Sequence, residues 1–183
     1  MDPRLDLSKP NVARTYDALL GGHDNFAADR ELAGRLVEIC PDLGGAVREN
    51  RSFTARAADW AARQGIRQYA DLGCGLPAHP SAAAAARAVV PSVRLVYVDH
   101  DPIVTAHVRA LLVTGDGDAS VAADLTDPAS VLADPAWRGL IDIGRARVLH
   151  LRPGPEPDGR PAGPRGRGRI RGPGRVGQLL RSE

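Results

Sequence analysis

The chain has 183 residues, enough for one domain with a single sizeable core. Its apolar fraction of 43% suits a globular protein. Cys40 and Cys74 are too few and too far apart for a disulfide framework or a zinc site. The net charge of +2 conceals two unlike parts: residues 1–143 hold 14 basic and 19 acidic side chains, whereas residues 144–183 hold 10 arginines, 3 acids, 9 glycines and 6 prolines.

Three helical patterns come first. "PNVARTYDALLGG" starts from Pro10 and stops at Gly21-Gly22. "DNFAADRELAGRLVEIC" follows, with Asp24 as its expected cap and Leu32, Leu36 and Ile39 on one stripe. The third, around "RENRSFTARAADWAARQG", repeats apolar residues at Phe53, Ala57, Trp60 and Ala61, and Gly65 ends it.

The pattern then changes to alternation of strand and helix. "IRQYADLG" reads as a short strand, "HPSAAAAARAVVP" as a helix ended by Pro91, and "VRLVYVDHD" as a second strand carrying Val93, Leu95, Val96 and Val98. "PIVTAHVRALLVTGDG" is a helix closed at Gly115, "ASVAADLTD" a third strand and "DPASVLADPAWRGL" a short helical stretch. Such alternation predicts a parallel α/β sheet with crossover helices. Sheets of this kind bind ligands at the carboxyl ends of their strands.

Gly73 and Gly75 follow the first strand, where backbone must approach a ligand closely. A dinucleotide fingerprint expects a third glycine about three positions later, and this chain has Ala78 there. Asp99 ends the second strand 24 residues after Gly75, near the offset of about 20 at which an acid meets a ribose. Asp124 with Leu125 follows the third strand, a carboxylate and an apolar side chain that suit an adenine amine and face. Each acid alone reads more readily as a helix cap than as a ligand. Asp71, Asp99 and Asp124 closing three successive strands point to an adenosine ligand. A pyrophosphate favours basic or neutral loops and helix N-termini, so an acidic rim suits the cationic, phosphate-free S-adenosylmethionine (SAM) better.

The stretches "NVARTYDALLGGHDNFAADRELAGRL", "RENRSFTARA", "GIRQYADLGCGLP" and "LVYVDHDP" resemble the actinobacterial S-adenosyl methyltransferase family, formerly a domain of unknown function. The resemblance runs from about Asp6 to Ile143, with "YDALLGGHDNF" its most specific block. It implies an α/β, Rossmann-like class I methyltransferase fold with an N-terminal helical cap over residues 1–66 and the first half of a SAM-binding domain over 67–143. By matching position, Asp71, Gly73 and Gly75 would line the methionine part of the cofactor, Asp99 the ribose, and Asp124 with Leu125 the adenine. In the cap, the resemblance implies that Tyr16, Asn25 and Phe26 close over the site and that Arg51 meets the cofactor carboxylate. The plainer readings are helix packing for Tyr16 and Phe26 and a solvated helix face for Arg51. Methyl transfer depends mainly on holding the acceptor in line with the methyl group. A base is needed only where the acceptor must lose a proton. No catalytic base is expected among His23, His100 and His107, and a catalytic thiol at Cys74 is not expected.

After "GLIDIG" the sequence leaves the family's pattern. "RVLHL" is an echo of a fourth strand and would place His150 near the acceptor side. Beyond it, a Gly/Pro/Arg-rich composition cannot offset ordering entropy, so residues 144–183 read as a disordered tail, a truncated or frame-shifted end to an incomplete fold. The functional expectation is a SAM-dependent methyltransferase of unknown acceptor, inactive if its C-terminal half is lost. Two alternatives are a non-catalytic remnant that binds SAM, or nucleic acid through the arginines of the tail, and an NAD-dependent oxidoreductase. "MDPRLDLSKP" lacks a signal peptide's apolar core, and no run reaches the roughly 20 apolar residues that span a bilayer, so a cytoplasmic protein is expected.

Overall fold

A computed structural model describes residues 6–143 and the backbone of residues 147–151. Helices α1 (Val12–Leu20), α2 (Ala27–Ile39) and α3 (Leu43–Arg63) precede strand β1 (Gln68–Leu72). Helix α4 (Ala82–Val89), strand β2 (Arg94–Asp99), helix α5 (Pro102–Leu111) and strand β3 (Asp118–Ala122) follow. Two short helices, α6 (Pro128–Ala133) and α7 (Pro135–Leu140), lead to strand β4 (Arg147–Leu151). The sheet is parallel throughout, in the order β3-β2-β1-β4. The chain steps outward from β1 to β3, then returns to pair β4 with the free edge of β1. That reversal is a topological switch point between β1 and β4, the kind of position beside which parallel sheets hold ligands.

Period-two alternation in β2 divides the core. Leu95 and Tyr97 pack with Ala58, Ala62, Tyr69, Ala86 and Val108 on one face, while Val96 and Val98 pack with Ala70, Val121, Trp137 and Ile141 on the other. All of β2 except Arg94 is buried, as a central parallel strand covered on both faces must be. α3 packs chiefly on α4, and their facing residues include Ala58, Ala62, Ala83 and Ala86, small enough for close approach.

Several boundaries differ from expectation for identifiable reasons. Asn11 caps α1, and Gly21, at φ +80°, closes it. Phe26 rather than Asp24 stands at the start of α2: the Asp24 amide is taken by Asp17, and the side chain of Asp29 accepts the Phe26 amide at 2.9 Å. Of the stripe expected to bury α3, Phe53 and Trp60 face outward, 61% and 55% exposed, whereas Ala57 and Ala61 are half-buried and Ala61 packs against the core. The buried face of α3 is instead Val47, Thr54, Ala55, Ala58 and Ala62. α5 stops at Leu111 rather than Gly115, where Asp118 draws in Thr114 through its amide and hydroxyl, both at 3.3 Å. Pro135 splits the last helical stretch in two, with Asp134 capping the second part. "RVLHL" is β4, so the sheet extends past residue 143. The remainder of the predicted tail, residues 144–146 and 152–183, lies outside the described residues.

Candidate functional site

The "DLGCGLP" segment carries β1 into a tight turn. Gly73 and Gly75 hold φ of +67° and +60°, the left-handed region that side chains disfavour. A Cβ on Gly73 would lie at ordinary contact distance from Leu125, 3.6 Å from its Cδ1, so backbone conformation rather than crowding selects glycine there. The turn folds its amides inward. Gly73 and Cys74 donate to the Val98 carbonyl at 2.8 and 3.2 Å, and Gly75 donates to Asp99 Oδ2 at 3.0 Å. All three amides are therefore spent on the end of β2.

Asp99 is 8% exposed at the last position of β2. Its Oδ1 accepts the Asp101 amide at 3.0 Å and its Oδ2 the Gly75 amide, so both oxygens are fixed from the protein side. Each keeps a second lone pair for a further donor. Asp71 lies next to last in β1, paired in register with Tyr97 of β2 and with His150 of β4. A register shift between Ala70 and Asp71 on the β4 side gives β4 an extra residue beside the site, a bulge of the kind that re-aims side chains at strand ends.

Asp124 falls two residues beyond β3 rather than closing it, and is exposed. The Thr126 amide, 2.8 Å from its Oδ1, is the main influence holding its carboxyl below the usual carboxylate range, and His100 adds a smaller one. Asp71, Gly73, Gly75, Asp99 and Leu125 are thus brought to the carboxyl end of the sheet, with Asp124 on the adjoining loop.

The helical segment reaches this loop through Arg51. Its Nη2 donates to the Leu76 carbonyl at 2.9 Å, and with Asp71 and Gly75 it walls a cavity of about 460 Å³. That cavity runs behind the glycine turn, under α4, past Tyr97 and Arg87, and Gly73, Asp99 and Leu125 do not line it. Burial pushes the Tyr97 phenol up, with the Asp118 charge adding to it. Its hydroxyl lies beside Arg87 without hydrogen-bonding geometry, and Arg87 itself pairs with Asp118. Cys74 is buried, as an inert thiol would be.

The other residues expected in the cap lie in a polar scaffold within it. Tyr16 donates to the Val47 carbonyl at 3.2 Å and accepts from Asn50 at 3.1 Å. Asn25 donates to Asp17 and to the Gly22 carbonyl, and accepts from Arg30. Phe26 is 41% exposed with the Arg14 guanidinium 5.4 Å from its ring centre. Residues not singled out from sequence complete the scaffold. Asp29, fully buried, accepts from the Arg14 Nε, the Asn11 amide and the Phe26 amide. The Asx-rich run around Asn11 and Asp29 was the available signal.

A parallel sheet that reverses beside β1, with a glycine turn and an acid at the end of β2, defines a class I methyltransferase-type α/β domain. The chain belongs to the S-adenosyl methyltransferase family, whose profile matches residues 1–152. SAM is the cofactor expected of that family. Among solved structures, a protein from Thermobifida fusca YX described as a candidate methyltransferase is 45% identical, with a TM-score of 0.76 over 80% of this chain and 56% of its own. A DUF574 family protein from Streptomyces avermitilis MA-4680 is 37% identical, with a TM-score of 0.73 over 78% of this chain and 56% of its own. The chain thus spans little more than half the length of either. No curated protein matches it. Among the described residues, no helix is long and apolar enough to cross a membrane, and no group of three or more metal-ligating side chains gathers.

Proposed function

We propose that this chain holds SAM across the carboxyl ends of β1 and β2. Asp99 would bind the ribose hydroxyls, Asp71, Gly73 and Gly75 would border the methionine part, and Asp124 with Leu125 would meet the adenine. The observation that carries this reading is the use of the loop amides. A dinucleotide site presents them to a pyrophosphate, whereas here Gly73, Cys74 and Gly75 all donate to Val98 and Asp99. With those amides engaged and acids at the rim, the turn suits a cationic, phosphate-free nucleoside better than NAD.

SAM bound there would supply an electrophilic methyl group. The chain's own contribution is orientation: the backbone clamps on Asp99 fix its lone pairs before ligand arrives, which limits the ordering cost of binding. Arg51, which lines the cavity together with Asp71, would meet the cofactor carboxylate. Tyr16, Asn25 and Phe26 would act by shaping the cap rather than by touching the ligand, as their scaffold bonds suggest.

Amide hydrogen exchange with and without SAM tests the site. Protection should concentrate in residues 71–75, 98–101 and 124–126. Protection confined to other segments would overturn the assignment.

Turnover is a separate proposal. The chain spans 56% of each structural relative, and the family match stops at residue 152, where the Gly/Pro/Arg-rich composition begins. We infer that the 183-residue chain binds cofactor with little or no methyl transfer. An acceptor screen that follows release of demethylated SAM checks this, and robust release would refute it.

A further inference from the structure

A single carboxamide joins the helical cap to the loop of Asp99. Asn11 Oδ1 accepts the amides of Ala13 and Arg14 at 2.8 and 3.3 Å, capping α1. Its Nδ2 donates to Asp101 Oδ2 at 2.6 Å. Asp101 is itself a helix cap: its Oδ1 accepts the amides of Ile103 and Val104 at 2.7 and 3.3 Å, at the head of α5. The Asp101 amide in turn donates to Asp99 Oδ1 at 3.0 Å. Two helix N-termini are thus tied together by one side-chain bond, and that bond lies one residue link from the proposed ribose acid.

The tie is held from behind. The Asn11 backbone amide donates to Asp29 Oδ1 at 2.8 Å, and Asp29 is pinned by the buried Arg14, so the Asn11 backbone cannot shift without disturbing a buried ion pair. Asp101 is only 7% exposed, so its carboxylate has little access to replacement water. Losing the Asn11 donor would leave a partly desolvated charge short of a partner, which costs more than losing an exposed bond.

We propose that Asn11 is a positioning residue that couples docking of the cap to the setting of Asp99, so that cap closure and cofactor binding favour each other. This rests on the reading of Asp99 as the ribose ligand. The coupling follows from linkage: if only the docked state presents Asp99 correctly, apparent affinity falls by the fraction undocked. By reciprocity, bound cofactor must hold the cap down.

Exchanging the two residues provides the test, because Asn and Asp cap helices equally well. The full 183-residue chain is compared with Asn11→Asp, Asn11→Ser, Asp101→Asn and the double variant N11D/D101N. Asn11→Asp keeps the α1 cap but sets two carboxylates against each other. Asn11→Ser keeps a cap while withdrawing the donor. In the double variant the bond can re-form in the reverse direction, with residue 101 donating. SAM affinity, measured by calorimetry, should fall about tenfold in Asn11→Asp, the loss expected for a bond to a charged group. It should fall less in Asn11→Ser and recover to within about twofold in the double variant. The α1 amides should follow the same order of exchange without ligand, which probes the tie even if the chain proves not to bind SAM. That last result would refute the cofactor reading and leave the tie standing. Wild-type affinity and α1 exchange in Asn11→Asp would overturn the proposal, as would a loss in Asn11→Asp that the double variant fails to reverse while its circular dichroism is native.

Discussion

The amide of Gly75 donates to Oδ2 of Asp99 across 3.0 Å, so the glycine turn after β1 and the acid at the end of β2 form one unit. Replacing Asp99 with Ala removes the acceptor for Gly75 and for Asp101 together. SAM affinity should fall about tenfold or more, and stability by about 1–3 kcal/mol, the cost of leaving buried donors unmet. Calorimetry and urea unfolding separate the two. Unchanged affinity would remove Asp99 from the site.

Arg14 and Asp29 are paired at 2.9 Å with side chains 4% and 0% exposed. Asp29→Ala strands a buried cation and should cost about 3–5 kcal/mol in urea unfolding. Replacing both with apolar residues of similar volume should recover only the part owed to the unpaired charge, because the Asn11 and Phe26 amides still lose their acceptor.

A Cβ on Gly22 would fall 2.0 Å from Asp17 Oδ1. Gly22→Ala therefore displaces the carboxylate that accepts from Asp24 and Asn25, and should destabilise by about 1–3 kcal/mol. Gly45→Ala is the control, since its Cβ would meet open space.

Tyr97 gives a pH test. Its folded phenol is raised chiefly by burial, so the folded chain keeps the proton after the unfolded chain has lost it. The resulting stability is fully present below about pH 10 and is lost as pH rises beyond that. Tyr97→Phe should flatten this alkaline decline in thermal unfolding and be at least as stable at pH 7, because the hydroxyl lacks a hydrogen bond. Part of the slope should remain, since Tyr69 is also raised by burial.

What could be read from sequence was what residue type encodes. Alternating Leu95, Val96, Tyr97 and Val98 mark a central strand, and Gly73 and Gly75 mark the tight turn after β1 that meets Asp99 at the end of β2, because conformation and charge at those positions depend on the residue itself. The buried face of α3 was misread because Phe53 and Trp60 carry the strongest hydrophobic signal, while packing against α4 selects alanines. The inward turn of the loop amides depends on backbone direction, which no side chain announces. The meeting of Asn11 with Asp101 depends on tertiary contact between residues far apart in sequence, each of which also caps a helix locally.

The most direct test is calorimetric titration of the 183-residue chain with SAM and with NAD in parallel. The use of the loop amides predicts saturable binding of SAM and none of NAD over the same concentrations. Saturable binding of NAD, with SAM silent, would contradict it.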